Sequence, residues 1–144
     1  MNKIRNVQLL YPQIPNTFWS MHYLNKLTGF KSSYPPLGLM TIAPMLPKPW
    51  NKRLIDTNIE KLKSRDLAWA DLVLISAMNV QEKSVHELVK ICKDYDLPIV
   101  AGGPLFTHEY SKFPLIDYFI CNEAELTLPE FLEDFQQGKA SNIY

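Results

Sequence analysis

The sequence is poor in cysteine, with only Cys92 and Cys121 among its 144 residues. Neither belongs to a C-x-x-C pair or to a closely spaced group of cysteines, which is the pattern that typically holds zinc or an iron–sulfur cluster. A metal site built from clustered cysteines is therefore excluded. We expect both side chains to be reduced, buried thiols.

The sequence also lacks an excess of charge and any long apolar run. Its 15 basic and 15 acidic residues give a formal net charge of zero, and no dense group of lysine and arginine is present to attract a nucleic acid or an acidic membrane. Apolar stretches such as residues 72–77 are far shorter than the about 20 residues of a membrane helix. No secretory signal pattern opens the chain. We predict a soluble, cytoplasmic protein in which residues 1–144 form one domain.

Sequence features typical of catalysis are scarce. No G-x-G-x-x-G follows the first apolar run and no G-x-x-x-x-G-K-[ST] occurs, so the usual cradles for dinucleotides and nucleoside triphosphates are absent. The histidines, His22, His86 and His108, suggest no catalytic triad. Glu123 and Glu125 could pair as acid and base, but acidic residues at a helix start more often complement its dipole. We predict that the isolated chain is not catalytic.

Short apolar runs that end in turn residues alternate with stretches of helical periodicity. This alternation is typical of βα units that build a parallel sheet, and it predicts an α/β domain. Each run has the length of a buried strand. The five predicted strands are residues 7–10, 53–56, 72–76, 99–101 and 118–121.

An amphipathic helix is predicted between the third and fourth strands. Apolar residues recur there at three- and four-residue spacing from Val85 to Tyr95, and charged residues occupy the opposite face. Asn79, three residues before Glu82, is predicted to cap the start of this helix.

The last predicted helix has start and stop signals of its own. Thr127 and Glu130 form a possible capping box, and Pro129 would then lie in the first turn, where its missing N–H costs little. Gly138 is predicted to end the helix.

The first helix is predicted to begin at Pro35-Pro36 and to kink or end early at Pro44. The segment before it, residues 11–34, is too long for a typical βα loop and contains several aromatic residues. It is either a lid that buries aromatics against its own domain or a surface that meets a ligand or a second domain.

Residues that follow the strands are the candidates for a binding site, because ligands of doubly wound sheets bind at the carboxyl ends of the strands. Gly102-Gly103 is the clearest signal, since glycine allows unusual φ values and close approach to the backbone. A Gly-Gly pair after a strand is more commonly only a turn, however. Around it, Ser76-Ala77-Met78 and Asn122-Glu123 also follow strands.

Ser76-Ala77-Met78 and Gly102-Gly103 resemble the S-x-L and G-G elements of cobalamin-binding domains. Over nearly the whole chain, further segments resemble the N-terminal cobalamin-binding domain of class B radical SAM proteins. These segments are residues 34–39 (YPPLGL), 54–58 (LIDTN), 69–73 (WADLV), 100–104 (VAGGP) and 122–125 (NEAE).

The resemblance implies a flavodoxin-like, doubly wound, three-layer α/β/α domain with strand order 2-1-3-4-5. The corrin would lie across the carboxyl ends of the strands, with the nucleotide tail beside the sheet. Ser76 would hydrogen-bond the tail, and Gly102 and Gly103 would open the passage for it, so that a bulky side chain at either glycine would block binding while leaving much of the fold intact. The backbone around four residues is implied to border the corrin and its amide arms: Asn58, Met78, Asn79 and Pro104. Glu123 would lie on the far rim.

The sequence departs from the wider family in three places. The D-x-H-x-x-G element, whose His is the lower cobalt ligand in cobalamin mutases, is missing, so no lower ligand is evident and no residue is predicted to bind metal. Radical SAM relatives commonly lack this His as well. Asn122 stands where relatives often have Gly, and Pro44 where Ala is preferred in a helix.

The resemblance also implies a function for a longer protein. Radical SAM chemistry needs a C-x-x-x-C-x-x-C loop for a four-iron cluster that binds S-adenosylmethionine, and this sequence has none. We therefore expect the domain to come from a longer enzyme, in which it would deliver methylcobalamin or a related cobalamin for methyl transfer to an unreactive carbon. The alternative is a degenerate, non-catalytic interaction module of the same fold.

Overall fold

A computed structural model describes residues 4–16, 29 and 34–144 of the protein. Its centre is a five-stranded sheet in which every neighbouring pair is parallel and the order is β2-β1-β3-β4-β5. This result confirms the predicted α/β fold and strand order. The strands are β1 (Asn6–Tyr11), β2 (Asn51–Asp56), β3 (Leu72–Ser76), β4 (Ile99–Gly102) and β5 (Tyr118–Ile120).

Helices connect the strands and cover both faces of the sheet. Apolar residues of the second, third and fourth helices pack on one face, and those of the first and fifth pack on the other, which makes three layers. The helices are α1 (Leu37–Ile42), α2 (Ser64–Trp69), α3 (Glu82–Lys93), α4 (Pro104–Glu109) and α5 (Ala124–Gln137).

The first helix ends early, as predicted. It begins at Leu37, directly after Pro36, and gives way at Ala43 to a 3₁₀ turn that contains Pro44. A proline cannot donate the next backbone bond of an α-helix, so the change of helix type follows from the sequence.

The predicted caps of α3 and α5 are wrong. Asn79 begins a 3₁₀ turn, Asn79–Gln81, so that α3 starts only at Glu82 and has no side-chain cap. In this turn Gln81 accepts a hydrogen bond from the Met78 N–H through its side-chain oxygen, at 2.8 Å. The Asn79 side chain is therefore not needed at the helix start.

Helix α5 starts earlier than the capping-box pattern suggested. It begins at Ala124, which leaves Pro129 inside the helix rather than in its first turn. The Thr127 hydroxyl donates back to the backbone oxygen of Glu123 instead of capping an N–H. The end is as predicted, because Gly138 adopts the left-handed conformation with φ of 70°.

Both cysteines are free and buried, which confirms that they are core thiols. The aromatic residues Trp19, Tyr23 and Phe30 of the long first loop lie outside the described residues. Within the described ranges, no helix combines the length and apolar character needed to cross a bilayer.

The last residues of the chain pair with the free edge of β5. The Phe119 N–H donates to the Asn142 oxygen at 2.7 Å, the Tyr144 N–H to the Phe119 oxygen at 2.9 Å, and the Cys121 N–H to the Tyr144 oxygen at 2.8 Å. The pairing is parallel. Residues 142–144 therefore run in the same direction as the strands, towards their carboxyl ends.

Candidate functional site

A cavity of about 470 Å³ opens at the carboxyl edge of the sheet. It lies between the sheet face and helices α1 and α5. The volume is within the range of about 300–1,000 Å³ that is typical of small-molecule sites. Its lining includes Tyr11, Leu37, Gly38, Thr41, Ile42, Leu74, Ser76, Ala77, Met78, Val100, Gly102, Gly103, Pro104, Ile120, Asn122, Glu123, Glu125 and Leu128.

The Ser76 side chain occupies the centre of this edge. Ser76 is the register partner of Gly102 on the adjacent strand. A Cβ placed on Gly38 of α1 would lie 3.1 Å from the Ser76 hydroxyl oxygen, and one placed on Gly103 would also lie 3.1 Å from it. In the described part of the chain, this hydroxyl makes no hydrogen bond. It is available to a ligand that enters the cavity.

Gly103 has the backbone conformation that glycine permits. Its φ is +100°, and a Cβ there would meet the backbone oxygen of Ala77 at 3.0 Å. The close approach has a structural use, because the Leu105 N–H donates to the same Ala77 oxygen at 3.2 Å. The loops after β3 and β4 are thereby held together.

Both glycines of the pair line the cavity and also lie close to neighbouring loops. A Cβ on Gly102 would point at the Ile120 backbone oxygen, at 3.1 Å, and a Cβ on Gly103 would point at Ala77. Both first contacts are with the protein itself. A bulky side chain at either position would therefore displace neighbouring protein atoms as well as enter the passage, and its effect on binding and on the fold stays a prediction.

Six of the eight predicted site residues line the cavity, and two do not. The six are Ser76, Met78, Gly102, Gly103, Pro104 and Glu123. Asn79 is exposed at the start of its 3₁₀ turn and is not part of the lining. Whether any of the eight contacts a ligand stays a prediction.

Asn58, the second residue outside the lining, is engaged within the protein. Its side-chain oxygen accepts from the Ile14 N–H at 2.7 Å, and its amide nitrogen donates to the Pro12 oxygen at 3.2 Å and to Asp56 Oδ1 at 2.7 Å. Asn58 therefore fixes the chain that leaves β1, and its polar atoms are used by the fold.

Tyr11 and Asp56 form a buried polar pair beside the cavity. They are register partners at the ends of β1 and β2. Burial raises the pKa of the Tyr11 phenol, the Asp56 carboxylate raises that pKa further, and a hydrogen bond with Gln81 opposes both effects. The phenol in the cavity wall is therefore a neutral donor at physiological pH. Asp56 is 5% exposed, and its Oδ2 has no partner among the described residues.

Asn122 lines the mouth of the cavity in a left-handed conformation, with φ of 58°. Asparagine tolerates this region better than most residues other than glycine. Asn122 thus adopts a backbone conformation that glycine also favours. The Asn122 N–H donates to the Thr107 hydroxyl at 3.0 Å, which fixes the loop.

The sequence did not predict the contribution of the helices to the cavity. Gly38 and Thr41 of α1 and Leu128 of α5 face the strands and complete the walls. The YPPLGL segment and the apolar stripe of the last helix predicted the two helices themselves. The residues of each helix that line the cavity depend on how that helix packs on the sheet. Neither periodicity nor composition predicts this packing.

The ionisable side chains near the cavity do not form a cluster of metal ligands in the part of the chain that is described. Across residues 4–16, 29 and 34–144, no three His, Cys, Asp or Glu side chains lie together as metal ligands would. His86 is half-exposed and stacks on Phe113, with ring centroids 4.5 Å apart. Neither His86 nor His108 lines the cavity, and His22 lies outside the described residues.

Comparisons with known proteins point to one family. The sequence model of the B12 binding domain matches residues 27–132. The chain is 36% identical over 137 residues to an uncharacterized methyltransferase of Synechocystis, covering 94% of this chain and 26% of that protein. It is 31% identical over 120 residues to the hopanoid C-2 methylase of Rhodopseudomonas palustris, covering 83% of this chain and 23% of that protein.

A third relative is an uncharacterized methyltransferase of Pyrococcus horikoshii, 31% identical over 117 residues, covering 73% of this chain and 26% of that protein. The chain thus spans about a quarter of the length of these curated relatives. The family match covers both walls and the glycine pair of the cavity, and it confirms the resemblance to cobalamin-binding domains. The chain belongs to the B12-binding domain family.

Proposed function

We propose that the domain binds cobalamin, with the corrin across the carboxyl edge of the sheet and the nucleotide tail in the cavity. The observation that carries this proposal is the Ser76 hydroxyl, which has no partner in the described structure and faces a cavity of about 470 Å³ between two glycines. Small residues at these points let a bulky tail approach the backbone. The residues present are therefore suited to the group that the family binds.

Each lining residue has a role in this arrangement. Ser76 donates a hydrogen bond to the tail, and Gly103 keeps the neighbouring loop close to it. Met78, Pro104 and Glu123 border the corrin at the mouth. When bound, cobalamin would supply a methyl group, and these residues would hold the corrin and its tail at the edge of the sheet.

The described residues supply no imidazole to the lower face of the corrin. The loop after β1, where mutase-type domains carry the ligating His, has Pro12 and Gln13 here. The Gln13 N–H donates to the Ser84 hydroxyl at 2.9 Å. Among the described residues, the proposed site would therefore offer cobalamin no His ligand.

We further propose that residues 1–144 are the N-terminal domain of a longer, cobalamin-dependent radical SAM methyltransferase. A C-terminal catalytic domain would hold the four-iron cluster and S-adenosylmethionine and would use methylcobalamin to methylate an unreactive carbon. The methyltransferase names of the relatives and the quarter-length coverage support this proposal.

A titration tests cobalamin binding. The purified chain is titrated with hydroxocobalamin and methylcobalamin, and binding is followed by absorbance and equilibrium dialysis. The informative variant is Thr41→Trp, because Thr41 lines the cavity from an exposed position on α1. Its matched control is Met40→Trp, since Met40 is 56% exposed on the same helix and lies outside the lining.

We expect saturable binding by the wild type and by Met40→Trp, and at least about tenfold weaker binding by Thr41→Trp, which is about 1.4 kcal/mol. Absence of binding by the folded wild type would refute the proposal. Normal binding by Thr41→Trp would show that the tail does not use the cavity.

The second candidate is an interaction module that no longer binds cobalamin. Exposed apolar side chains near the mouth favour it, including Leu37 and Leu126, the latter 78% exposed. Apolar side chains of this kind often anchor interfaces. The same titration separates the two functions, because only the first predicts saturable cobalamin binding.

A further inference from the structure

The β2 edge of the sheet is open on its outer side. Strand β2 is the first in the order of the sheet, and in the described part of the chain no strand pairs with its outer side. The N–H groups of Asn51 and Thr57 donate towards β1, to the backbone oxygens of Arg5 and Tyr11. The register between β1 and β2 is unbroken, and successive residues of a strand direct their backbone groups to opposite sides. The N–H and C=O groups of Leu54 therefore point away from β1.

These two backbone groups of Leu54 are free to bind another segment. Beyond the strand ladder, Leu54 forms no backbone hydrogen bond with a described residue. Its side chain is 39% exposed. An unpaired strand edge of this kind accepts an additional strand when one is supplied.

A groove of about 380 Å³ lies along this edge. Residues 53–55 of β2 form one side of it, and residues between 60 and 66, which lead into α2, form the other. Among the described lining residues, none is shared with the cavity at the carboxyl edge. The groove is therefore a separate surface of the domain.

The side chains around the groove carry an excess of positive charge. Asp66 is already engaged, since its Oδ2 accepts from the Lys63 N–H at 3.0 Å and its Oδ1 lies 3.9 Å from Arg65 Nε. The ammonium groups of Lys61 and Lys63 form no ion pair with a described residue. The cationic residues of the lining are Arg53, Lys61, Lys63 and Arg65, and the anionic ones are Glu60 and Asp66.

The Arg53 guanidinium is held in place without using its hydrogen-bond donors. Its central carbon lies 4.0 Å from the ring centroid of Trp69 on α2, which is a cation–π contact. It forms no ion pair with a described residue. A fixed, planar guanidinium with free N–H groups is well suited to a carboxylate.

We propose that the β2 edge binds an extended, acidic segment of a partner protein by strand addition. The backbone of the segment would pair with Leu54, and its carboxylates would contact Arg53 and the two lysines of the groove. A second copy of this chain does not fit the same edge, because Lys52 and Arg53 of the two β2 strands would repel each other. This proposal is independent of cobalamin binding.

The test uses a blocked pentapeptide probe, Glu-Val-Glu-Val-Glu, titrated into the isotope-labelled chain and followed by NMR. We expect saturable shifts centred on the Leu54 amide and slower exchange of its N–H with solvent. Binding should weaken as salt is added, since screening reduces attraction between exposed charges. The same peptide with Lys in place of Glu should not bind.

A methylated peptide tests the backbone pairing. Methylation of its backbone nitrogens keeps every carboxylate but removes the N–H groups that would donate to the strand. We expect this peptide to bind about threefold or more weakly, as the loss of one hydrogen bond requires.

Lys63→Glu tests the charge of the groove. Lys63 is exposed and borders the groove, so we expect the acidic peptide to bind about fivefold more weakly to this variant. The matched control is Lys83→Glu, the same change at an exposed position of α3 outside the groove. It should leave the affinity unchanged. Circular dichroism should show the wild-type fold for both variants.

Four outcomes would overturn the proposal. The first is the absence of saturable binding by the acidic peptide at low salt. Equal binding of the basic peptide would remove the selection for acidic segments, and equal binding of the methylated peptide would remove strand addition. Equal binding of a single-stranded oligonucleotide of the same charge would make the groove a general polyanion site.

Discussion

The hydroxyl oxygen of Ser76 lies 3.1 Å from the point that a Cβ of Gly103 would occupy. The two residues come from the ends of adjacent strands, and each limits what the other can be. A side chain at position 103 would push the hydroxyl away from the cavity, and a larger residue at position 76 would fill the space that glycine leaves. The geometry of the site therefore depends on the missing side chain of Gly103 as well as on the hydroxyl of Ser76.

Replacing Gly103 with alanine should weaken both the fold and binding. The residue has a φ of +100° and the new Cβ would meet Ala77, so we expect a loss of about 1–3 kcal/mol in the free energy of unfolding. Urea denaturation measures this loss. The matched control is Gly138→Ala, which also has a positive φ, of 70°, but ends α5 away from the cavity. It should lose stability and keep its cobalamin affinity, and a loss of affinity there would contradict the assignment.

Ser76→Ala should lower the affinity for cobalamin without lowering stability. The hydroxyl makes no hydrogen bond in the described structure, so its removal leaves no internal partner unsatisfied. One lost ligand hydrogen bond is worth about 0.5–1.5 kcal/mol, or a few-fold to about tenfold in affinity. Cobinamide, which has no tail, provides the comparison: its affinity should not change. An equal loss of affinity for cobalamin and cobinamide would indicate that Ser76 contacts the corrin rather than the tail.

Asn58→Ala and Asn79→Ala should behave differently, although both asparagines follow strands. The Asn58 side chain forms hydrogen bonds with the Ile14 N–H, the Pro12 oxygen and Asp56. Its removal leaves these groups unpaired and should lower the free energy of unfolding by about 1–3 kcal/mol. Amide exchange at Ile14 should become faster. Asn79 is exposed, so Asn79→Ala should leave stability unchanged. A drop in cobalamin affinity for Asn79→Ala would show that the corrin extends further than the cavity.

Stability should fall at alkaline pH because of Cys92. Burial raises the pKa of its thiol from 9.0 to about 12, with Lys93 partly opposing the effect. The unfolded chain therefore loses this proton at lower pH than the folded chain. The protonated Cys92 thiol therefore contributes fully to the free energy of unfolding below pH 9.0. This contribution is lost as the pH rises towards about 12, by up to about 1.4 kcal/mol per pH unit.

Urea denaturation of the wild type and of Cys92→Ala over this pH range checks the prediction. The variant has a smaller side chain in the core and should be less stable at neutral pH. The difference in free energy of unfolding between the wild type and Cys92→Ala should shrink as the pH rises, because the variant has no thiol to ionise at this position. A deficit that stays constant with pH would show that the Cys92 thiol does not contribute.

The strands were predictable because each is a short apolar run that must be buried. The structure extends β1 to Asn6–Tyr11 and β2 to Asn51–Asp56, where more polar residues lie towards the ends. Helix α2 was not predicted: it has only six residues, Ser64–Trp69, too few to establish a helical period. The predicted caps at Asn79 and Thr127 were wrong for different reasons. A 3₁₀ turn precedes α3, and α5 begins before Thr127, so in neither helix is the predicted residue at the cap position.

The candidate site was predictable along the strand edge and not along the helices. Ser76 ends β3 and Gly103 follows β4, and parallel strands place their carboxyl ends together. Thr41 and Leu128 lie on helices whose rotation and distance from the sheet depend on the packing of many side chains. Asn58 shows what position in the sequence does not reveal, since its side chain is hydrogen-bonded to the segment after β1 and to Asp56, while a ligand contact of its backbone stays a prediction.

The pairing of residues 142–144 with β5 also bears on self-association. An open strand edge offers unpaired N–H and C=O groups to another chain and promotes aggregation. Here the N–H groups of Phe119 and Cys121 already donate hydrogen bonds to the backbone oxygens of Asn142 and Tyr144. These groups are therefore not available to a strand of another chain. The opposite edge, β2, carries Lys52 and Arg53, whose charges disfavour edge-to-edge pairing. Removal of residues 142–144 would expose β5 and leave the sheet with one unprotected side.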